Sequence, residues 1–167
     1  MKKLSVLFAA ILMMASFGMA KAQKVATLDV FGVLNAMPEK KKADTDLKAF
    51  ADTKEAEIKK KMEAAQTKYD LYMKEAQTKT EAENKARGDE MKKLQDEITA
   101  MQEKARKDLD TKQNAAFNPI EAKLNAAIEK VSKAGGYEFV MDGNSTSLVY
   151  KNGPDITDAV KKELAIK

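Results

Sequence analysis

Apolar residues in the middle of the chain recur at steps of three and four, which is the period of an amphipathic helix rather than of a strand. No proline or glycine interrupts residues 39–87, so a long helix can form there. A second run with the same period follows a break near residues 77–80. Two such helices predict a coiled-coil hairpin. Its apolar seam comprises Ile58, Met62, Ala65, Tyr69 and Tyr72 in the first helix, and Met91, Leu94, Ile98 and Met101 in the second.

The break between the two helices carries signals for a helix start. Thr80 and Glu83 have the spacing of a capping box, in which each side chain binds a free backbone N–H group of the other residue. Gly88 is a rival position for the bend, because glycine weakens a helix. A short turn places consecutive helices side by side and antiparallel. If the chain folds back in the middle of the break, Ile58 lies opposite Ile98.

Patterns typical of strands occur near the two ends of the chain. Residues 24–30 alternate between apolar and polar positions and include β-branched residues. Residues 137–141 and 147–150 are further strand candidates, and the turn-rich segment between them predicts a β-hairpin. Pro119 is expected to interrupt the second long helix, because proline lacks the backbone donor and clashes with the preceding turn. Gly136 is expected to end the following helical segment in a left-handed conformation.

These elements predict an α+β fold that is mostly α-helical. The strands and a last helix through Val160 would meet in a small β-containing oligomerisation body, residues 23–42 and 117–167. The helices between them would form a long antiparallel coiled-coil hairpin arm, residues 43–116, with its tip near residues 77–80. At about 1.5 Å per residue, the arm extends roughly 50 Å. A body this small has little core of its own, so we expect it to associate with copies of itself.

The first 22 residues have the pattern of a cleavable signal peptide. Residues 1–3 are positively charged, residues 4–19 are largely apolar, and residues 20–22 have the small-x-small pattern that signal peptidase requires. An uncleaved membrane anchor is the alternative, but the apolar run is shorter than the about 20 residues that span a bilayer. We therefore predict a mature chain that starts at Gln23, resides in the periplasm and has no integral membrane segment.

The charge distribution argues against nucleic-acid binding. The formal net charge is +4, and removal of Lys2, Lys3 and Lys21 with the signal peptide would bring it to +1. The remaining charges are mixed in sign along the helices, and no basic patch is interleaved with aromatic residues. Such Lys and Glu runs are typical of solvated helix faces with ion pairs four residues apart.

Composition excludes most catalytic and metal-binding chemistry. Charged residues make up 34% of the chain and aromatic residues 6%, and there is no Cys, His or Trp. Without Cys and His the chain has no thiol nucleophile, no disulfide, no usual zinc ligand and no proton shuttle for neutral pH. We predict no catalytic residue, no cofactor and no metal site. An enzyme that uses only carboxylates and lysines is the alternative, although paired acids such as Asp108 and Asp110 lie on a charged helix with no evident pocket.

The two ends of the mature chain resemble the Skp/OmpH family of periplasmic chaperones. At one end the resemblance rests on residues 24–30 followed by residues 33–35. At the other end it rests on residues 119–133, 136–142 and 155–157. The helical middle, which is rich in Lys, Glu and Ala, is generic coiled coil and fits the family without identifying it.

The resemblance implies an assembly and a function. Members of the family are homotrimers whose bodies associate and whose arms surround a cavity, where unfolded outer-membrane β-barrel proteins are held without ATP. It therefore implies that this chain is a holdase chaperone that prevents the aggregation of such clients in transit. A structural coiled-coil spacer or scaffold of the cell envelope is the alternative. Leu71, Met73, Lys74 and Arg87 are the candidate client contacts, since they lie off the apolar seam or near the arm tip.

Overall fold

The structure is a computed structural model that describes residues 23–166, so the signal peptide predicted for residues 1–22 lies outside the described residues. Helix dominates it, and the predicted class, α+β with a long helical hairpin, is confirmed. In chain order the elements are strand β1 (Val25–Leu28), helix α1 (Val30–Ala36), helix α2 (Pro38–Glu75), a 3₁₀ turn (Ala76–Thr78), helix α3 (Glu81–Gly135), strand β2 (Phe139–Asp142) and helix α4 (Thr157–Glu163). We keep the names arm and body for the residue ranges given above.

Helix α2 begins at Pro38, before the predicted start of the arm at residue 43. Proline is favoured in the first turn of a helix, because its missing N–H group would have no partner there in any case. The short helix α1 starts with a side-chain cap, since the Asp29 carboxylate accepts a hydrogen bond from the Gly32 N–H at 2.7 Å. Two ordinary start signals thus define the helices that lead from the body into the arm.

Helix α3 continues through Pro119, and the predicted interruption there is wrong. Proline in a helix interior costs about 3 kcal/mol relative to alanine. Ile120, Leu124 and Ala127 follow it at helical spacing, and all three are buried in the core. Burial contributes about 1.5–3 kcal/mol for each large apolar side chain, so packing of this face outweighs the cost of the proline.

The sheet has two strands, β1 and β2, and they run parallel. Val25 pairs with Phe139, and Leu28 pairs with Asp142. On the other side of β1, the Thr27 N–H donates to the carbonyl of Pro154 at 2.8 Å. Parallel strands require a long crossover connection. Here that connection comprises the whole arm, so strand pairing closes the body around the base of the hairpin.

The predicted β-hairpin of residues 137–141 and 147–150 does not form. The first segment corresponds to β2, but the second has no strand partner in the described part of the chain. After β2, the Ser145 N–H donates to the carbonyl of Asp142, and the Leu148 N–H donates to the carbonyl of Ser145. These consecutive turns lead the chain away from the sheet. The second segment therefore has strand-forming residues but no neighbouring strand within residues 23–166.

The hydrophobic core lies in the body, where helices pack on the inner side of the two strands. Val33 of α1 and Val160 of α4 have no exposed surface. Ala43, at the base of the arm, joins the same cluster. The buried members are Ala26, Leu28, Val33, Met37, Ala43, Ile120, Leu124, Ala127, Ile156, Val160 and Leu164. This core joins the N-terminal and C-terminal segments and fixes the base from which the hairpin extends.

Candidate functional site

The arm presents the predicted site residues, and it is long and thin. Helix α2 has 38 residues, which at about 1.5 Å each gives a length of about 57 Å. Its neighbour along the arm is the first part of α3. Within the described residues, three ion pairs join the two helices along the arm: Lys61 with Glu97, Lys68 with Glu90, and Arg87 with Glu75. A fourth pair, Lys123 with Glu39, joins the same helices in the body.

The tip of the arm is a compact turn at residues 76–80. The predicted capping box is confirmed, since the Thr80 hydroxyl accepts from the Glu83 N–H and the Glu83 carboxylate accepts from the Thr80 N–H. The Thr80 hydroxyl also donates to the Glu83 carboxylate at 2.8 Å. The bonds that the carboxylate accepts from the Thr80 N–H and from this hydroxyl hold the pKa of Glu83 below its ordinary value. The Asn84 amide donates to the carbonyl of Ala76 at 2.9 Å, which ties α3 to the turn. Gly88 lies inside α3, so it is not the bend.

The two arm helices pair about one helical turn away from the predicted register. Ile58 lines a groove with Met101 rather than with Ile98. Ile98 instead lines a groove with Met62. The prediction centred the fold-back on the middle of the break, whereas the observed turn takes in the 3₁₀ residues and extends to the Thr80 cap. Each residue of α2 therefore lies beside a residue that is further along α3 than predicted.

Polar side chains close the seam near the tip. Glu90 of α3 accepts hydrogen bonds from the Lys68 ammonium group and from the Tyr72 hydroxyl, both on α2. The bond from Lys68 first, and that from Tyr72 second, hold the pKa of the Glu90 carboxyl below its ordinary value. The contact with Glu90 raises the pKa of Lys68 and also that of Tyr72. A polar layer of this kind is typical of positions that fix the register of a coiled coil.

Arg87 fills the next layer toward the tip. Its guanidinium carbon lies 4.5 Å from the centre of the Tyr72 ring, and its Nη2 lies 2.5 Å from the Glu75 carboxylate. Only 16% of the Arg87 side chain is exposed. Its other terminal nitrogen, Nη1, is buried and makes no hydrogen bond within the described residues. Arg87 is thus engaged inside the hairpin, which leaves little of it for the predicted client contact.

A row of large apolar side chains runs along one side of the arm. Met62, Tyr69 and Met73 of α2 are spaced by seven and four residues, which places them on one helix face. Their exposed fractions are 49%, 46% and 58%. We call these three residues the arm ridge. It leaves apolar surface in solvent along about 16 Å of helix.

Grooves flank the seam because its side chains do not fill the space between the helices. A largely apolar groove of about 330 Å³ lies nearer the body, at Phe50. The ammonium groups of Lys54 and Lys112 lie 5.7 and 5.2 Å from the centre of that ring. A second groove, of about 340 Å³, lies beside the arm ridge. It is lined by Met62, Ala65, Gln66, Tyr69, Met91, Gln95, Ile98 and Gln102.

The predicted seam residues lie at three depths. Ala65 and Ile98 are buried. Met62 and Tyr69 are half-exposed and belong to the arm ridge. The others are partly buried, and these are Ile58, Tyr72, Met91, Leu94 and Met101. Because few of these side chains leave solvent completely, the ion pairs and the polar layer near the tip share in holding the hairpin together.

The remaining candidate client contacts lie on two different faces of α2. Leu71 and Met73 are exposed apolar side chains, and Lys74 is exposed as well. Leu71 is two residues away from both Tyr69 and Met73, so it lies on the opposite side of the helix from the arm ridge. Their contact with clients stays a prediction, and the arm ridge favours Met73 over Leu71.

Sequence reasoning missed the acidic member of the polar layer, Glu90. A signal was available, since Lys68 and Tyr72 are four residues apart and therefore share a helix face. Charged residues that flank an apolar seam form ion pairs between helices. Identifying the partner of Lys68 and Tyr72 on α3 required the register of the two helices, and the predicted register is about one helical turn away from the observed one.

Several acidic residues of the arm form ion pairs with lysines on the same helix. Lys104 pairs with Asp108 at 2.9 Å, and Lys48 pairs with Asp52 at 2.8 Å. Within residues 23–166, no three Asp, Glu, His or Cys side chains converge closely enough to hold a metal ion. None of the helices in that range has the length and apolar character needed to cross a membrane.

The chain is similar to known proteins in sequence pattern and in fold. The model of the family described as outer membrane protein (OmpH-like) matches residues 24–164. A crystal structure of an OmpH-like protein from Caulobacter crescentus CB15, provisionally assigned as an outer membrane chaperone, superposes with a TM-score of 0.73. The two sequences are 17% identical, and the match covers 86% of this chain and 84% of that one. At this identity the likeness concerns the fold. No curated protein sequence matches the chain significantly.

Proposed function

The chain belongs to the family of OmpH-like outer membrane proteins, and from that premise we propose that it is an ATP-independent holdase chaperone of the periplasm. It binds unfolded outer-membrane β-barrel proteins and prevents their aggregation in transit. The provisional assignment of the similar Caulobacter crescentus protein as an outer membrane chaperone supports this class of function. The proposal gives the chain no catalytic reaction and no cofactor.

The observation that carries the proposal is the arm ridge. An unfolded client exposes apolar side chains that aggregate in water, and a holdase must offer them an alternative apolar surface. Met62 and Met73 supply flexible thioether side chains, which adapt to surfaces of different shape. Tyr69 adds an aromatic ring between them. None of the three contributes to the core of the body, so the ridge is available to a client without loss of the fold.

Weak contacts from one ridge become effective when several arms surround the same client. We therefore propose a homotrimer, in which the arms enclose a common space and raise the effective concentration of each ridge. Val25, Phe139 and Met141 support association through the body, since these sheet residues are all exposed apolar side chains. Val149, which is 97% exposed in the single chain, adds to the same kind of surface.

Export to the periplasm is part of the proposal. Support comes from the sequence pattern of residues 1–22, which predicts a signal peptide, and from the family, whose name refers to outer membrane proteins. The absence of Cys from the sequence also means that folding needs no disulfide in an oxidising compartment.

A dilution assay tests the function directly. An outer-membrane β-barrel protein is unfolded in urea and diluted into buffer with or without the purified protein, and turbidity is recorded without nucleotide. Light scattering measures the mass of the resulting particle. We expect aggregation to be suppressed and the particle to contain one client and one trimer.

The same assay separates the proposed function from the envelope-spacer alternative. Serum albumin at equal mass controls for crowding and for non-specific coating of the client. Aggregation at the rate seen with albumin would contradict the holdase proposal. A folded envelope protein that binds in fixed stoichiometry, while unfolded clients do not bind, would establish the spacer instead.

A further inference from the structure

Methionine is the side chain of this protein on which oxidants are expected to act first. The sequence contains ten Met residues and has neither Cys nor Trp. Thiolates are ordinarily the most readily oxidised side chains, and the Met thioether is also oxidised readily, to the sulfoxide. The chain has no thiol to intercept an oxidant before it reaches a thioether. The methionines within the described residues are Met37, Met62, Met73, Met91, Met101 and Met141.

These thioethers differ widely in their access to solvent. Met37 is 1% exposed in the core of the body, and Met91 and Met101 are partly buried in the arm seam. Met62 and Met73 of the arm ridge are about half-exposed, and Met141 on β2 is 43% exposed. Oxidation depends on access to the sulfur. The structure therefore divides the methionines into a protected set and an accessible set.

Two of the accessible methionines lie on the surface that the proposed function uses. Met62 and Met73 stand on either side of Tyr69, about 16 Å apart along α2. A single extended client segment can contact both. Met141 has comparable exposure in the single chain, but it lies on strand β2 among the side chains proposed to associate between copies, so it does not serve as a control. Met101 lies in the seam of the same arm but outside the ridge, so its replacement controls for a Met-to-Leu change away from the ridge.

We propose that Met62 and Met73 form a reversible oxidation site, at which hydrogen peroxide converts the arm ridge from an apolar to a polar surface and releases clients. The inference rests on the proposed function. The thioether sulfur attacks one peroxide oxygen, the S–O bond forms, and the O–O bond breaks. The second oxygen leaves as hydroxide and takes the proton of the first, so water is the product. Sulfur loses two electrons, and the peroxide gains them.

The reaction changes the property on which ridge contacts depend. A sulfoxide is polar and chiral, whereas a thioether is apolar and flexible, so oxidation disrupts methionine-rich interfaces. A methionine sulfoxide reductase with a dithiol reverses the step, because the oxygen leaves as water while the dithiol becomes a disulfide. The ridge would then recover its apolar surface without new protein synthesis.

The test measures oxidation and client affinity on the same samples. The protein is produced with its own N-terminal segment, purified as the host processes it, and treated with increasing peroxide. Peptide mass spectrometry quantifies the sulfoxide at each methionine, and fluorescence titration gives the Kd for a urea-unfolded outer-membrane β-barrel protein. We expect Met62 and Met73 to be oxidised before Met37, and the Kd to rise roughly tenfold. Reductase and dithiothreitol should restore the initial Kd.

Variants assign the effect to the ridge. Leucine replaces methionine with little change in volume and cannot be oxidised. In M62L/M73L the ratio of the Kd after peroxide to the Kd before it should fall to near one, whereas M101L should keep the ratio of the wild type. Equal ratios in the two variants would overturn the proposed switch. So would oxidation of Met37 in step with Met62, because it would mean that exposure does not control the reaction.

The two proposals can fail separately. If the untreated protein binds no unfolded client, the proposed function fails, and the switch of client binding fails with it. The order of oxidation still decides the site itself, because peptide masses do not depend on a client. If the untreated protein binds clients and its Kd does not change after Met62 and Met73 are oxidised, the function stands and the switch is overturned.

Discussion

The Arg87 guanidinium stacks on the Tyr72 ring across the hairpin, with 4.5 Å between the guanidinium carbon and the ring centre. The same guanidinium pairs with Glu75, so one side chain of α3 binds two side chains of α2 near the tip. Among the described residues of the middle of the arm, the buried ones are Ala65 and Ile98. Polar contacts therefore contribute more to the stability of the arm tip than they would in a hairpin with a fully apolar seam.

Replacement of Arg87 should loosen the tip of the arm. R87A removes the stacking contact with Tyr72 and leaves Glu75 without its partner, so we expect Tm to fall by roughly 2–5 °C. Circular dichroism at 222 nm measures the transition. Lys85, two residues earlier on the same helix, is exposed, and K85A is the matched control. A Tm for R87A no lower than that of K85A would mean that the contact contributes no stability.

The ionised Glu90 carboxylate should make the stability of the arm depend on pH. Hydrogen bonds from Lys68 and Tyr72 keep the pKa of Glu90 lower in the folded arm than in the unfolded chain. Ionised Glu90 therefore stabilises the fold above the unfolded pKa, near 4.3, and this contribution is lost as the pH falls through the folded value. E90Q should melt below the wild type at pH 7, and the gap should close between about pH 5 and pH 3.

Thermal melts at a series of pH values measure that gap. The lowered pKa values of Glu83 and Glu97 make both proteins less stable in acid, so the difference between them is the quantity to follow. E121Q is a control, because Glu121 is exposed and forms no ion pair in the part of the chain described by the structure. A constant gap between E90Q and wild type from pH 7 to pH 3 would contradict the role of the Glu90 carboxylate.

Local patterns determine much of this fold, and they were readable from the sequence. The capping box of Thr80 and Glu83 needs residues only three positions apart, and it forms as expected. Gly136 ends α3 with φ of 66°, in the left-handed conformation that glycine adopts at little cost. In each case the interacting groups lie within one turn of the chain, so the pattern can be read without knowing any distant partner.

Features that depend on distant partners could not be predicted in the same way. Strand β2 pairs with β1 because the core brings Val25 beside Phe139, and nothing in residues 137–141 specifies a parallel neighbour. Pro119 was misjudged for the same reason, since the face of α3 that follows it is stabilised by side chains of the body. Predicting the partners of Lys68 and Arg87 required the register of the two arm helices, and an error of one helical turn in that register gives different partners.

Removal of Pro119 should stabilise the protein. The residue lies inside α3, where it lacks an N–H group for the helix, so P119A should raise the free energy of unfolding by about 1–2 kcal/mol. Urea unfolding measures the change. N118A, at the exposed neighbouring position, controls for helix propensity alone and should have a smaller effect. Lower stability of P119A would indicate that the groove Pro119 lines with Ala43 and Ile120 needs the proline ring.

Polar substitution on the two faces of α2 distinguishes the arm ridge from the helix surface in general. Met73 and Leu71 are both exposed apolar side chains near the tip, but only Met73 shares a face with Met62 and Tyr69. M73Q should therefore raise the Kd for an unfolded β-barrel client by about three- to tenfold, while L71Q should leave it within about twofold. Fluorescence titration at fixed salt measures both constants, and helical content at 222 nm checks that each variant folds. Equal losses in the two variants would mean that clients contact α2 from both sides, which would extend the binding surface beyond the ridge. A loss confined to L71Q would move it to the opposite face, where an arm could hold a client without using its methionines.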